Sequence, residues 1–219
     1  AVSEPLLTEL ASHHVPIVSL GSAQPGQGIV SLRVNESEIT SVAANHLLGL
    51  GHRRIGFITP PPFKNIARMR IEGFKRAFLD ADLPIRPEYL IDGGFELQDG
   101  IRGAEQLLSL RYPPTAIVAA NDLVAIGIIS TLKRHGRRVP SDISVVGIDD
   151  IQMASLLDPP LTTVAQPIYE MGRQGMENIL LRIQNPQLEN SEIMFKTRLT
   201  IRQSTAKRPV RKTLTRSTR

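Results

Sequence analysis

Short apolar runs rich in β-branched residues alternate along this chain with amphipathic segments of helical length, the rhythm of parallel βαβ units. Residues 16–20 (PIVSL) predict a buried strand. Residues 36–50 then set Ile39, Val42, Ala43, Leu47 and Leu50 on one helical face, closed by Gly51. A strand at 55–59 and a proline-rich loop lead to a helix at 67–81, a short strand at 89–91 and a helix at 98–110. The pattern continues with a strand at 116–120, a helix at 122–134 and a strand at 144–148. Pro167 opens a long helix to 184, as proline in a first helical turn can, and an extended stretch covers 192–204.

Such a pattern predicts an α/β fold with parallel, doubly wound sheets, in which ligands bind outside the carboxyl ends of the strands. The positions to inspect are therefore Gly21, 59–65, 92–95, Asn121 with Asp122, and Asp149 with Asp150. Two phosphate-binding patterns fail there. The segment 21–27 (GSAQPGQ) has P-loop glycine spacing, but Gln27 stands where a lysine is needed and Gly28 where a hydroxyl should hold magnesium. Gly26, Gly28 and Ser31 half-match a dinucleotide fingerprint, yet a strand-like segment follows them instead of a helix. The five histidines lack metal-ligand spacing, no Gly-x-Ser-x-Gly elbow occurs, and adjacent Asp149 and Asp150 would face opposite ways on a strand. No catalytic activity, cofactor or metal is expected.

Composition narrows the class further. With 219 residues, 41% of them hydrophobic, the chain can bury a substantial core. It has no cysteine, no apolar run of membrane-spanning length and no secretory pattern at its start, so a cytoplasmic, membrane-free protein is expected. The net charge of +5 is concentrated at one end. Six of the 26 basic residues fall in 205–219 with no acid, leaving 20 bases against 21 acids elsewhere. That stretch is expected to be a disordered basic tail, because it has little apolar surface to offset its ordering entropy. His52, Arg53 and Arg54 read as a solvated turn.

Five segments carry a resemblance: HLLGLGHRRIGFI (46–58), RIEGFKRAF (70–78), PTAIVAANDLVAIGII (114–129), RVPSDISVVGIDDI (138–151) and PPLTTVAQP (159–167). Together they resemble the LacI/GalR family of bacterial transcription regulators over about residues 5–204. The resemblance implies a two-lobe, type I periplasmic-binding-protein-like fold with an effector held in the cleft between the lobes. On that basis 1–33 and 165–191 form a remnant of the N-terminal lobe, and 34–164 with 192–204 form the C-terminal lobe. No helix-turn-helix or hinge helix precedes the core and Ala1 is not an initiator methionine, so a fragment with an incomplete N-terminal lobe is expected. Operator DNA would be reached only through a helix-turn-helix outside this chain. A homodimer is implied for the full-length protein, and a sugar-binding receptor of an uptake system is the alternative function.

The resemblance also implies site residues. Arg70 matches the cleft arginine that binds effector oxygens, with pairing to Glu72 or Asp80 as the alternative. Phe95, after Gly93 and Gly94, matches a ring that stacks on the effector; a core phenylalanine is the alternative. Asn121 is assigned to the ligand and Asp122 to the cap of the following helix. Asp149 matches a carboxylate accepting from effector hydroxyls, Gln166 a polar group at a crossover, and Ile66 and Ile168 apolar wall. This mixture suits a sugar or nucleoside.

Overall fold

A computed structural model of the chain describes residues 15–21, 29–185 and 192–208, with 6, 9, 10, 13 and 188. The apolar runs assemble into two sheets. In the smaller, β1 (Ile17–Leu20) and β2 (Ile29–Val34) pair in parallel. The larger contains β3 (Ile55–Ile58), β4 (Leu90–Ile91), β5 (Ala116–Ala119), β6 (Ser144–Asp149) and β7 (Thr162–Ala165). Strand β8 (Glu192–Phe195) returns to the small sheet beside β2, and β9 (Arg198–Thr200) joins the large one beside β7, the single antiparallel pairing among the described strands.

The large sheet has the order β4-β3-β5-β6-β7-β9. From β3 the chain steps outward to β4 and then crosses back to β5 on the other side, so the winding reverses between β3 and β5. That reversal opens a crevice at the carboxyl ends of the strands. Helices α1 (Glu36–Gly49) and α2 (Asn65–Asp80) cover one face, while α3 (Leu97–Ser109) and α4 (Asp122–Arg134) cover the other. Helix α5 (Ile168–Gln184) lies on the small sheet, with Gly175 near Val18, Leu20 and Leu32.

Burial on both faces explains why the strands read as continuous apolar runs and not as alternation. Phe57, Val118, Val146 and Ile148 point into a core with Ile39, Leu47, Phe74 and Phe78 from α1 and α2. Ile58, Ile117, Ala119 and Val145 point the other way, toward Leu107 of α3 and Val124 and Ile128 of α4. The rings of Phe57, Phe74 and Phe78 stack in sequence at 5.2 and 5.0 Å between centroids.

Several expectations need revision. Strand β7 reads Thr-Thr-Val-Ala, too weakly apolar to stand out, yet its first three residues are buried. The expected lobe division places 192 onward with the large lobe, but Glu192–Phe195 pairs with β2, so the chain crosses at 196–197. Val34 likewise closes β2 and belongs with the small sheet.

The disordered tail expected from 205 begins too early. Thr205 bonds His46 Nε2 at 3.0 Å, Ala206 exchanges bonds with Ser144, and the Arg208 N–H donates to the Leu50 carbonyl at 3.0 Å. Backbone groups and small side chains dock these four residues, which a composition average cannot register; 209–219 lie outside the described residues. His52 is also no solvated turn. It is fully buried, with Nδ1 2.9 Å from the Thr115 hydroxyl and Nε2 donating to the Ala206 carbonyl at 3.0 Å.

Candidate functional site

At the carboxyl ends of β3, β5, β6 and β7 a set of polar side chains meets beside the winding reversal. Its anchor is Arg70, placed by the crossing of α1 and α2. Gly73 lets the helices touch, since a Cβ there would lie 1.9 Å from the Ser37 carbonyl oxygen. Thr40 Oγ1 donates to the Arg70 carbonyl at 2.6 Å across the same contact. The Arg70 side chain, 3% exposed, donates from Nε to Glu36 at 2.7 Å and from a terminal nitrogen to the Ala120 carbonyl at 2.5 Å. A guanidinium has five N–H donors, so three remain without an acceptor among the described residues.

Asp149 ends β6 in the same neighbourhood. Gln166, on the passage from β7 to α5, donates to its Oδ1 at 2.7 Å. Burial raises the Asp149 carboxyl above its ordinary range, the Arg70 charge and the Gln166 bond pull it back, and Glu36 pushes it up again. Asp149 and Asp150 both adopt left-handed backbone, at φ 113° and 59°. Such geometry costs about 1–3 kcal/mol per residue and persists only where surrounding contacts over-determine it. Here Asp150 is held by Arg202 at 2.7 Å, Thr200 at 3.3 Å and the Thr163 hydroxyl on its N–H at 3.3 Å.

Beneath this pair Asp122 is fully buried, accepting from the Thr163 hydroxyl at 2.7 Å and the Ile151 N–H at 2.9 Å. Burial lifts its carboxyl to about 6, against those two hydrogen bonds; Asp149 and Asp150 raise it further. On the other side of Ala120, Asn121 joins two elements. Its Oδ1 caps α4 at the Val124 N–H, 2.9 Å, and its Nδ2 donates to the Phe95 carbonyl at 2.9 Å. Lys64 Nζ stands 5.4 Å from the Phe95 ring centre. Charged groups of both signs and the amides of Asn121 and Gln166 thus meet at these strand ends, while the partly buried Phe95 ring packs against the core under α3 and α4. Among the described residues no cluster of three or more His, Asp or Glu is placed to hold a metal ion.

The periplasmic binding protein-like domain matches residues 44–205. The HTH-type transcriptional repressor CytR of Escherichia coli K12 is 34% identical over 194 residues, covering 89% of this chain and 57% of that protein. The ribose operon repressor of Haemophilus influenzae is 34% identical over 163 residues, covering 74% and 49%. A crystal structure of a LacI family transcriptional regulator from Enterococcus faecium with bound ribose superposes with TM-score 0.87 at 33% identity, covering 94% of this chain and 77% of that one. The chain belongs to the LacI family. It spans about half the length of the curated relatives it matches.

Within this LacI-family core, five of the seven residues expected at the site are linked by short steps. Arg70 reaches Ala120, whose neighbour Asn121 holds the Phe95 backbone, and the Arg70 charge acts on Asp149, which binds Gln166. Ile66 lies one turn before Arg70 and is half-buried; Ile168 begins α5 and is 55% exposed. The cap assignment is reversed: Asn121 caps α4 and Asp122 does not, because its carboxylate turns inward to Thr163 and Ile151. Arg70 pairs with neither Glu72 nor Asp80, which bind Arg68 and Arg76. Its partner Glu36 escapes sequence reasoning, since an acid in a first helical turn is commonplace and 34 residues separate the two.

Proposed function

We propose that this LacI-family core is the effector-sensing domain of a bacterial transcriptional repressor, binding a small polar ligand of the sugar class and acting through binding and not catalysis. The observation that carries the reading is the convergence of Arg70, Asn121, Asp149 and Gln166 on the carboxyl ends of the large sheet, beside the passages that lead to the small one. Three donors of Arg70 and the free lone pairs of Asp149 match adjacent hydroxyls, and Phe95 and Ile168 supply apolar contact for a sugar face. The relatives are named as repressors, one of them of a ribose operon, and a neighbouring structure holds ribose.

Ligand held by both lobes favours one relative orientation over another. It biases that equilibrium only through its differential affinity, typically about 1–3 kcal/mol. In the whole protein this change would reach operator DNA through a DNA-binding segment in a cytoplasmic homodimer. Exposed apolar side chains at the first turns of α3 and α4 and just after β6, namely Leu97, Leu123, Met153 and Leu156, support self-association. No helix among the described residues is long and apolar enough to cross a membrane.

Calorimetric titration with pentoses, hexoses, disaccharides and nucleosides tests the proposal. Saturable binding that Asp149→Asn and Gln166→Ala each weaken by about tenfold or more, with unchanged circular dichroism, is expected. Absence of binding to every ligand, or equal binding by both variants, would refute it.

A further inference from the structure

The amino ends of the large sheet carry a second concave site. A cavity of about 590 Å³ lies where the chain enters β3, β5 and β6, lined by Arg54, Arg111, Arg137 and Arg208 around Tyr112 and Asp142. This volume falls within the range of small-molecule sites, roughly 300–1,000 Å³. The opposite ends of these same strands form the crevice described above, so the cavity does not overlap it.

Its positive charge exceeds its negative charge, four arginines against Asp142, which the Arg137 charge also reaches. Many arginines elsewhere pair with carboxylates, among them Arg33 with Glu192, Arg70 with Glu36, Arg76 with Asp80 and Arg202 with Asp150, whereas Arg53 bonds only carbonyls. None of the four cavity arginines forms an ion pair among the described residues. The one acid in the wall, Asp142, is occupied by Arg138, which bonds it through its backbone N–H at 2.8 Å and its guanidinium at 3.3 Å.

The fold holds the Arg54 guanidinium and the backbone at Arg137 and Arg208, and leaves the Arg111 and Arg137 side chains exposed. Arg54 Nε donates to the Pro113 carbonyl at 3.1 Å, and Arg111 lies over the Tyr112 ring at 5.3 Å. The backbone N–H groups of Arg137 and Arg208 bond Leu132 and Leu50 at 2.8 and 3.0 Å. Like charges gathered in a concavity repel one another and focus a positive potential, which an anion relieves. Guanidinium forks fit phosphate oxygens two at a time.

We propose that this cavity binds a phosphate-bearing small molecule. Phosphate oxygens take the unpaired arginine donors, and the half-exposed Tyr112 ring forms an apolar wall for whatever the phosphate is attached to. Inorganic phosphate and an organic phosphate share this chemistry, and the size of the cavity leaves room for the second.

The test is an amide NMR titration of the chain at about 50 mM salt, where screening of exposed charges is modest, with inorganic phosphate, pyrophosphate and glycerol 3-phosphate as separate probes. Saturable shifts at 54, 111–115, 137–143 and 208 are expected, with a lower Kd for glycerol 3-phosphate than for inorganic phosphate if the organic portion is recognised, and equal values if phosphate alone is. Arg111→Gln with Arg137→Gln, both exposed and free of internal bonds from their guanidinium groups among the described residues, should weaken binding by about tenfold or more. Arg211→Gln with Lys212→Gln, in the basic stretch that follows, should change it by less than about twofold. No shifts with any probe, shifts confined to the carboxyl ends of the strands, undiminished binding by the cavity variant, or loss of binding in the second variant would each overturn the proposal.

Discussion

The two ends of the large sheet use the same residue types to opposite effect. At the carboxyl ends the buried charges have close partners: Arg70 has Glu36 and the Asp149 charge, Asp150 has Arg202, and Asp122 beneath them accepts from the Thr163 hydroxyl. At the amino ends four arginines share one cavity without a carboxylate of their own. The first arrangement is strained at Asp149 and Asp150 and its charged groups bond one another; at the second, Arg54 bonds a carbonyl, and Arg137 and Arg208 are bonded through their backbone N–H groups. Polar residues bonded to one another at the first end are therefore expected to matter for stability, whereas the exposed Arg111 and Arg137 guanidinium groups at the second are not.

Truncation is the strongest way to break that contrast. Arg70→Ala leaves Glu36 as a buried, unpaired carboxylate and should cost about 3–5 kcal/mol of stability in urea unfolding. Arg111→Ala should change the same measurement by less than about 0.5 kcal/mol. Similar losses from the two substitutions would erase the distinction between the ends.

Titration separates the ends next, because they respond to pH in opposite senses. Asp122 is lifted from an ordinary value of 3.8 to about 6 by burial. Between those values the folded chain keeps a proton that the unfolded chain has lost, so this group's contribution falls as pH rises, by at most about 3 kcal/mol. Asp149, raised mainly by burial, acts in the same sense. Near the amino ends His46 and His52 are lowered below 6.5, chiefly by burial, so the unfolded chain takes up their protons first and stability is lost as pH falls below 6.5. Unfolding at pH 5.0, 6.0 and 7.5 should show wild type losing stability relative to Asp122→Asn as pH rises; a constant difference would mean that Asp122 does not titrate in this range.

A smaller effect sharpens the picture at the amino ends. His52→Ala removes the hydrogen bonds to Thr115 and Ala206 and should cost about 1–3 kcal/mol, accompanied by faster amide exchange at 205–208. Unaltered exchange there would show that Ser144 and Leu50 suffice to dock the segment.

The same contrast explains what could be read from the sequence. Among the described residues the five helices and strands β1, β3, β4, β5 and β6 were legible to within a few residues, because burial on both faces writes apolar runs directly into the chain, while β2 showed only as a strand-like segment. Strand β7 was not, since Thr162 and Thr163 belong to a strand through pairing and burial and not through apolarity. At the site, the expected residues are those at strand ends, which topology makes predictable. Their partners are not. Glu36, Thr163 and Ala120 reach Arg70 and Asp122 only after helices and strands pack, and nothing local in the sequence distinguishes them. His52 shows the same limit: the residue between Gly51 and Arg53 looks solvated until Thr115 and Ala206 close over it.

The central claim is that a small polar ligand is held at the carboxyl ends of the large sheet. Amide hydrogen exchange with and without a saturating sugar, chosen from the calorimetric series, tests this most directly. Slower exchange at 59–66, 93–96, 121–124, 149–151 and 166–169, with no change at 111–115 and 137–143, is the predicted result. Protection confined to the amino ends, or absent from all of these segments under saturating ligand, would contradict it.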